Sequence, residues 1–244
     1  MIPLGDLQYG GTTTAADFQA GYGPFAGGTP ASWGDYKAIT HPTIGSHEYD
    51  GLTTAVGYFD YFNGVGAPSG PAGPPDKGYY SENLGNWHIV HVNSQRGYQA
   101  GSAQDLWLAA DLAANADKCI LATWHHPRFS SGVHGNQARV NGLFQTLYNG
   151  GADVLLSGND HLYERFGLQD PNAVTDTVRG IRQFVVGTGG KGLYDWGTVQ
   201  PSSEVRENTT YGVLKLTLHA NSYDWQFVPE AGKTFTDTGT TACH

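Results

Sequence analysis

Four short apolar runs stand out against a mostly polar, glycine-rich chain: Ile89 to Val92, Cys119 to Trp124, Val154 to Ser157 and Gln183 to Val186. Each is short and continuous rather than alternating, the pattern of a strand buried on both faces. Between the second and third runs, Val140, Leu143, Phe144 and Leu147 recur at helical spacing, and Gly150-Gly151 closes the segment. That predicts a helix ended by residues that readily leave helical backbone. Strand, helix, strand in this order predicts a parallel crossover. It sets His125 and His161 just beyond the carboxyl ends of neighbouring strands, where α/β sheets bind ligands. A second helix is predicted from Ser102, with Asp105 completing its start and Leu106, Ala109, Ala110 and Ala113 as its apolar face. Towards the C-terminus the period becomes two. Leu214, Leu216 and Leu218 alternate with polar residues, Asn221-Ser222 turns the chain, and Tyr223, Trp225 and Phe227 resume. An antiparallel hairpin with one buried face follows. Residues 64 to 80, rich in Gly and Pro, read as a surface loop. No internal repeat or linker interrupts the pattern, so one domain over residues 1–244 is expected.

The 244 residues, 39% of them hydrophobic, suffice for a sizeable core. Only 14% are charged, and the wealth of Tyr, Trp, Asn and Gly suits a secreted, loop-rich enzyme. A net charge of −9 argues against nucleic acid as a partner, because its backbone demands clustered Lys and Arg. A bound metal could still attract a small anion locally. No apolar run reaches the ~18 residues of a membrane span. Met1-Ile2-Pro3-Leu4 leads straight into the first candidate chemistry, so no signal peptide is expected in this chain. Cys119 and Cys243 either form one disulfide, in an oxidising compartment, or remain two thiols. Two cysteines so far apart do not suggest a thiolate metal site.

The chemistry concentrates in four motifs, each following an apolar run. They are Gly5-Asp6-Leu7-Gln8-Tyr9, Gly45-Ser46-His47-Glu48, His125-His126-Pro127 and Gly158-Asn159-Asp160-His161, the last continuing into Leu162-Tyr163-Glu164-Arg165. Singly, each is weak: Gly-Asp is usually a turn, and His-His-Pro a strand end. Together and in this order they resemble the calcineurin-like metallophosphoesterases, in particular the branch of the purple acid phosphatases.

The resemblance implies an α/β fold, a layered α/β/β/α sandwich with mixed sheets and its site at the strand ends. It implies hydrolysis of a small phosphate ester by water activated on one or two ions of iron, zinc or manganese. Carried over, Asp6 is the bridging and catalytic carboxylate, and Tyr9 is a phenolate ligand favouring ferric iron. His125 and His161 are imidazole ligands, and His161 shares Tyr9's metal. His47 sits beside the substrate as a proton donor. His134 and the neighbouring His126 are candidate substrate contacts. The branch also implies secretion.

Three departures weaken the match. Ser46 stands where the family has an asparagine ligand, and Asn159 where it has a histidine, both at one metal position. The family's opening strand, with its aspartate, has no counterpart before Gly5, so an inner strand of the sheet is expected to be missing. Completion of that edge by another chain, such as a second copy, or by a segment outside the given sequence is the corresponding expectation. Two further readings therefore accompany the phosphoesterase: a degenerate binding protein with one metal or none, and a single-metal hydrolase of another ester. Glu164 and Arg165 read as a structural ion pair. His41, His88 and His91 read as structural, with His41 an alternative replacement ligand. Thr188-Gly189-Gly190-Lys191 reads as a turn near the site, since it lacks nucleotide-loop spacing.

Overall fold

The computed structural model describes residues 1–10, 13–24, 31–50 and 53–244. Among them are helices α1 (Ala15–Tyr22), α2 (Val56–Asn63), α3 (Ala103–Ala114) and α4 (Asn141–Asn149). Ten strands accompany them: β1 (Tyr80–Leu84), β2 (Trp87–His91), β3 (Cys119–Trp124), β4 (Val154–Ser157), β5 (Tyr163–Gln169), β6 (Ile181–Val186), β7 (Ser203–Glu207), β8 (Gly212–Leu218), β9 (Ser222–Pro229) and β10 (Thr238–Ala242).

Seven strands form a mixed sheet in the order β1-β2-β3-β4-β6-β5-β7. The apolar runs β2, β3, β4 and β6 are its parallel centre, and β1, β5 and β7 add antiparallel flanks. Every residue of β3 and β4 is buried, because this centre is covered on both faces. Ile120, Ala122 and Trp124 of β3 face one core, together with Leu108 and Leu112 of α3 and Leu143, Phe144 and Leu147 of α4. Cys119 and Leu121, the alternate residues, face a second core shared with Tyr223, Trp225 and Phe227. Those three belong to a separate antiparallel sheet, β10-β9-β8. The predicted hairpin is its β8–β9 half. A third, aromatic core joins Phe18 and Tyr22 of α1 to Tyr58, Phe59, Tyr61 and Phe62 of α2.

One expectation needs correction. Ser102 does cap α3, accepting a hydrogen bond from the Asp105 amide, but the buried stripe is Gln104, Leu108 and Leu112. Leu106 is 64% exposed. Alanines are permissive on either face, and Gln104 turns inward because its amide bonds the Asn93 backbone at both ends, at 2.7 and 2.9 Å. Helices α1 and α2 pack against Leu7 and Ile44 beside the N-terminal segment. Val213, Lys215, Thr217, Gln226 and Val228, on the outer face of β8 and β9, are exposed.

Cys119 and Cys243 are bonded, with 5.7 Å between their Cα atoms, which ties the C-terminal tail to β3. Among the described residues, no helix is long and apolar enough to cross a membrane. At the N-terminus, Met1 to Leu4 runs beside residues 39 to 43, whose amides at His41 and Thr43 donate to the carbonyls of Met1 and Pro3. That places Gly5 and Asp6 at the carboxyl ends of β3 and β4.

Candidate metal centre

Gly5 (φ 85°) and Asp6 (φ 55°) make a tight turn in left-handed backbone. A Cβ on Gly5 would come within 2.7 Å of both Gly45 Cα and His125 Nδ1, so only glycine fits between these loops. The buried Glu48 staples the first two motifs together. Its carboxylate accepts from the amides of Asp6 (2.9 Å), Leu7 (2.6 Å) and Gly45 (2.6 Å). Burial, then the nearby Asp6 charge, push Glu48 up to about 7. Asp6 itself accepts from the His47 amide at 2.8 Å and the Ser46 hydroxyl at 3.2 Å. Burial would raise its pKa, but His125 opposite, with the His47 amide, outweighs burial and holds the carboxyl well below its usual range.

His125 follows β3 directly. Its Nδ1 lies 2.8 Å from the Leu4 carbonyl, an oxygen that can only accept, so Nδ1 carries the proton. Nε2 then faces Asp6 Oδ2 at 3.0 Å, without the alignment of a hydrogen bond. His161, three residues after Gly158 in the turn that leaves β4, repeats the device. Its Nδ1 donates to the Gly192 carbonyl at 2.8 Å, and its Nε2 faces the Tyr9 hydroxyl at 3.1 Å. Burial lowers the His161 pKa, favouring the neutral ring. Burial, then Asp6, hold the Tyr9 phenol above its ordinary range, so its ionisation needs a cation close by. Asn159 (φ 62°) lines the same cleft, which has a volume of about 640 Å³.

Asp6, Tyr9, Ser46, His47, His125, Asn159 and His161 are thus brought together. His47 stacks at 4.3 Å against the Tyr9 ring. His134 reaches only the rim, edge-on to Tyr194 at 5.4 Å. The structure does not bring His126 to the cleft. It is 6% exposed and exchanges bonds with Ser94, its ring taking the hydroxyl and its amide donating to the same oxygen, each at 2.9 Å. Its place directly after His125 sends it to the other side of the strand end.

The expected Glu164–Arg165 pair is also absent, for the same reason of strand alternation. Glu164 accepts from the Ser131 amide and the Ser203 hydroxyl, while Arg165 pairs with Asp237 and Glu204. His88 bonds Asp111 and Asn83. His41 and His91 both meet Glu82, so His41 is not a replacement ligand here.

No protein-family model matches the chain. Purple acid phosphatase 15 of Arabidopsis thaliana is 29% identical over 127 residues, 50% of this chain and 24% of that protein. An Arabidopsis protein named "probable inactive purple acid phosphatase 9" is 26% identical over 205 residues, 70% of this chain and 31% of that protein. A purple acid phosphatase from yellow lupin (Lupinus luteus) seeds superposes with a TM-score of 0.68 at 20% identity, over 83% of this chain and 40% of that one. The chain is purple acid phosphatase-like. GAP50, the anchor in the inner membrane complex of Plasmodium, shares the fold at a TM-score of 0.66 and 13% identity, covering 100% of this chain and 78% of that one. The fold is therefore the α/β fold of these metallophosphoesterase structures. The chain spans about a quarter to a third of the curated relatives' lengths.

The donor set of this purple acid phosphatase-like chain fits a metal ion. Two imidazoles fixed through Nδ1 by backbone carbonyls turn Nε2 towards Asp6 and Tyr9, the outer-shell arrangement that metal-binding histidines use. Asp6 and Tyr9 stand in front of them. Among the described residues, the three His, Cys, Asp or Glu ligand atoms within 4.8 Å of one another lie elsewhere, on Cys119, Asp153 and Cys243. Their sulfurs are bonded to each other and cannot coordinate while oxidised.

Four residues at the site carry no assignment from sequence. Tyr194 stacks on His161 at 3.9 Å, and Lys191 Nζ lies 4.1 Å over the Tyr9 ring. Glu48 was visible inside a motif, although nothing in its type revealed three amide partners. Asp160, fully buried, binds the Ser130 hydroxyl and the His134 amide, docking that loop beside His161.

The buried histidines make stability pH-dependent. Burial, then the adjacent His125, hold His126 down to about 2. The unfolded chain protonates it near 6.5, so below that pH the unfolded state binds the extra proton. Stability present above 6.5 is therefore lost as pH falls towards 2, at up to about 1.4 kcal/mol per pH unit. Urea unfolding near pH 7 and pH 5 is expected to show this slope, and His126→Asn to flatten it.

Proposed function

We propose that the chain is a metal-dependent phosphoric ester hydrolase of small substrates. The observation that carries the reading is the pair of carbonyl-fixed imidazoles, His125 and His161, presenting Nε2 to Asp6 and Tyr9. Asp6, Tyr9, His125 and His161 would hold one or two ions of iron, zinc or manganese, with Ser46 and Asn159 as weaker donors. Bound there, an ion supplies Lewis acidity towards a phosphoryl oxygen and lowers the pKa of coordinated water. The Asp6 carboxylate stays ionised for this role, held by its two hydrogen bonds from the second motif. The His47 ring, beside Tyr9, is placed to give a proton to the departing oxygen. Lys191 and the His134–Tyr194 rim flank the entrance, so an anionic ester meets a lysine there. The buried disulfide supports an extracytoplasmic, oxidising location.

One observation favours a second reading, a binding protein derived from such an enzyme. The Ser46 hydroxyl is committed to Asp6 rather than facing outward as a free donor. Hydrolysis of p-nitrophenyl phosphate by protein reconstituted with each metal decides between the two. Chelator-sensitive turnover is expected, exceeding turnover of p-nitrophenyl acetate. No turnover with any of the three metals would favour the binding protein, and faster acetate hydrolysis a single-metal esterase.

A further inference from the structure

Four metal-ligating side chains gather at the amino ends of β3 and β4, across the large sheet from Asp6, His125 and His161. Cys119 opens β3, Asp153 immediately precedes β4, and Cys243 and His244 follow β10. The 6 residues of β3 put about 20 Å between this corner and His125. A sulfur from each cysteine and a carboxylate oxygen of Asp153 lie within 4.8 Å of one another. The fourth donor, His244 Nδ1, is 3.2 Å from Asp153 Oδ1. Zinc bonds of about 2.0–2.1 Å to nitrogen and oxygen set a tetrahedral edge of about 3.3–3.4 Å, close to that spacing. Asp153 is buried and held at both oxygens. Its Oδ2 accepts from the Ile120 amide at 2.8 Å, and its Oδ1 from the His244 amide at 2.9 Å. Such bonds orient a carboxylate ligand from behind and leave each oxygen a lone pair. A cavity of about 210 Å³, lined in part by Asp153, Tyr223, Cys243 and His244, adjoins the cluster.

We propose that the chain, once its disulfide is reduced, binds one zinc ion at this corner through Cys119, Asp153, Cys243 and His244. The donors select the metal. Two thiolates favour zinc over manganese or magnesium, and four protein ligands make a closed, structural site. While the sulfurs are bonded to each other the site does not exist. Two electrons from a dithiol or a phosphine open the bond to two thiols. The dithiol leaves as its own disulfide, and the phosphine as its oxide, with oxygen taken from water. Zinc then replaces the two thiol protons, which pass to solvent. The sulfurs part to roughly 3.8 Å, the tetrahedral edge for Zn–S bonds of about 2.3 Å, and the adjoining cavity gives Cys243 room to move. Disulfide and zinc are thus alternative fasteners between β3 and the segment after β10, one for oxidising and one for reducing conditions.

Cobalt(II) titration of the full chain, reduced with a phosphine in the absence of oxygen, tests this. The spectrum of that ion reports tetrahedral thiolate ligation directly. A sulfur-to-cobalt charge-transfer band saturating at one ion per chain is expected after reduction, absent from the oxidised chain and abolished by added zinc. Cys119 and Cys243 are the only cysteines, so cobalt bound near Asp6 cannot give this band. His244→Ala is expected to weaken binding at least about tenfold while the oxidised chain melts as before. Urea is expected to remove the band, because only the folded chain assembles the four donors. No band from the reduced chain, a band that survives urea, or undiminished affinity in His244→Ala would each overturn the proposal. Saturation at one ion per two chains would also overturn it, by assigning the thiolates to a site between copies.

Discussion

Asp6→Asn is expected to lower metal-dependent hydrolysis of p-nitrophenyl phosphate more than about 100-fold while the protein stays folded. Changes one shell beyond a metal already cost about 10–100-fold, so loss of the charge shared between both histidine arms should exceed that. Asparagine keeps the shape and can still accept from the Ser46 hydroxyl and His47 amide, so the turn survives. What disappears is the anion that holds His125 above its ordinary pKa against the opposing effect of burial. The readout is kcat/KM at saturating metal, with urea unfolding as the control for folding. Retention of activity within about threefold would show that Asp6 does not hold the catalytic ion.

The second large effect concerns stability. Cys119 and Cys243 close a loop with a sequence separation of 124. The loop-entropy account assigns about 4–5 kcal/mol to such a closure, and typical measured values are about 2–4 kcal/mol. For a chain of this size each kcal/mol moves the melting temperature by about 2–4 °C. Reduction, or the Cys119→Ser and Cys243→Ser pair of substitutions, is therefore expected to lower Tm by roughly 5–15 °C. The loosened part is the tail beyond β10, where His244 N–H bonds Asp153 at 2.9 Å. Calorimetry with and without a phosphine reductant measures it. An unchanged Tm after complete reduction would contradict the role given to this bond.

What the sequence revealed and what it hid follow from range. The central strands were legible because burial on both faces leaves an unbroken apolar run, and α4 because Val140, Leu143, Phe144 and Leu147 form a single stripe, all fully buried. The face of α3 was misread because alanine is at home on either side, and because Gln104 is buried for its amide partners rather than for apolarity. β7 and β10 escaped notice: with patterns such as Ser203-Glu-Val-Arg-Glu207 they carry too few apolar residues to announce a strand, and tertiary pairing decides them.

The site divides along the same line. Asp6, His125 and His161 sit at motif positions where strand ends converge, so order along the chain was enough to name them. His126 and Glu164 were misplaced because their neighbours on a strand point the other way, and a motif does not say which residue of a pair turns inward. Tyr194 and Lys191 reach the site through long-range contacts with His161 and Tyr9 that no local pattern encodes. Cys119 and Cys243 could be bonded or free on sequence alone, since only the path of the tail across β3 brings them together.

The central claim is that Asp6, Tyr9, His125 and His161 form a metal centre, and metal content tests it most directly. The oxidised chain, loaded in turn with iron, zinc or manganese and then dialysed, is compared with His125→Ala/His161→Ala by elemental mass spectrometry. The disulfide is kept closed so that Cys119, Asp153 and Cys243 cannot contribute ligands. Stoichiometric metal retained by the unaltered chain and lost from the double variant is the predicted result. An unaltered chain that retains none of the three metals, or a double variant that retains as much, would contradict the account.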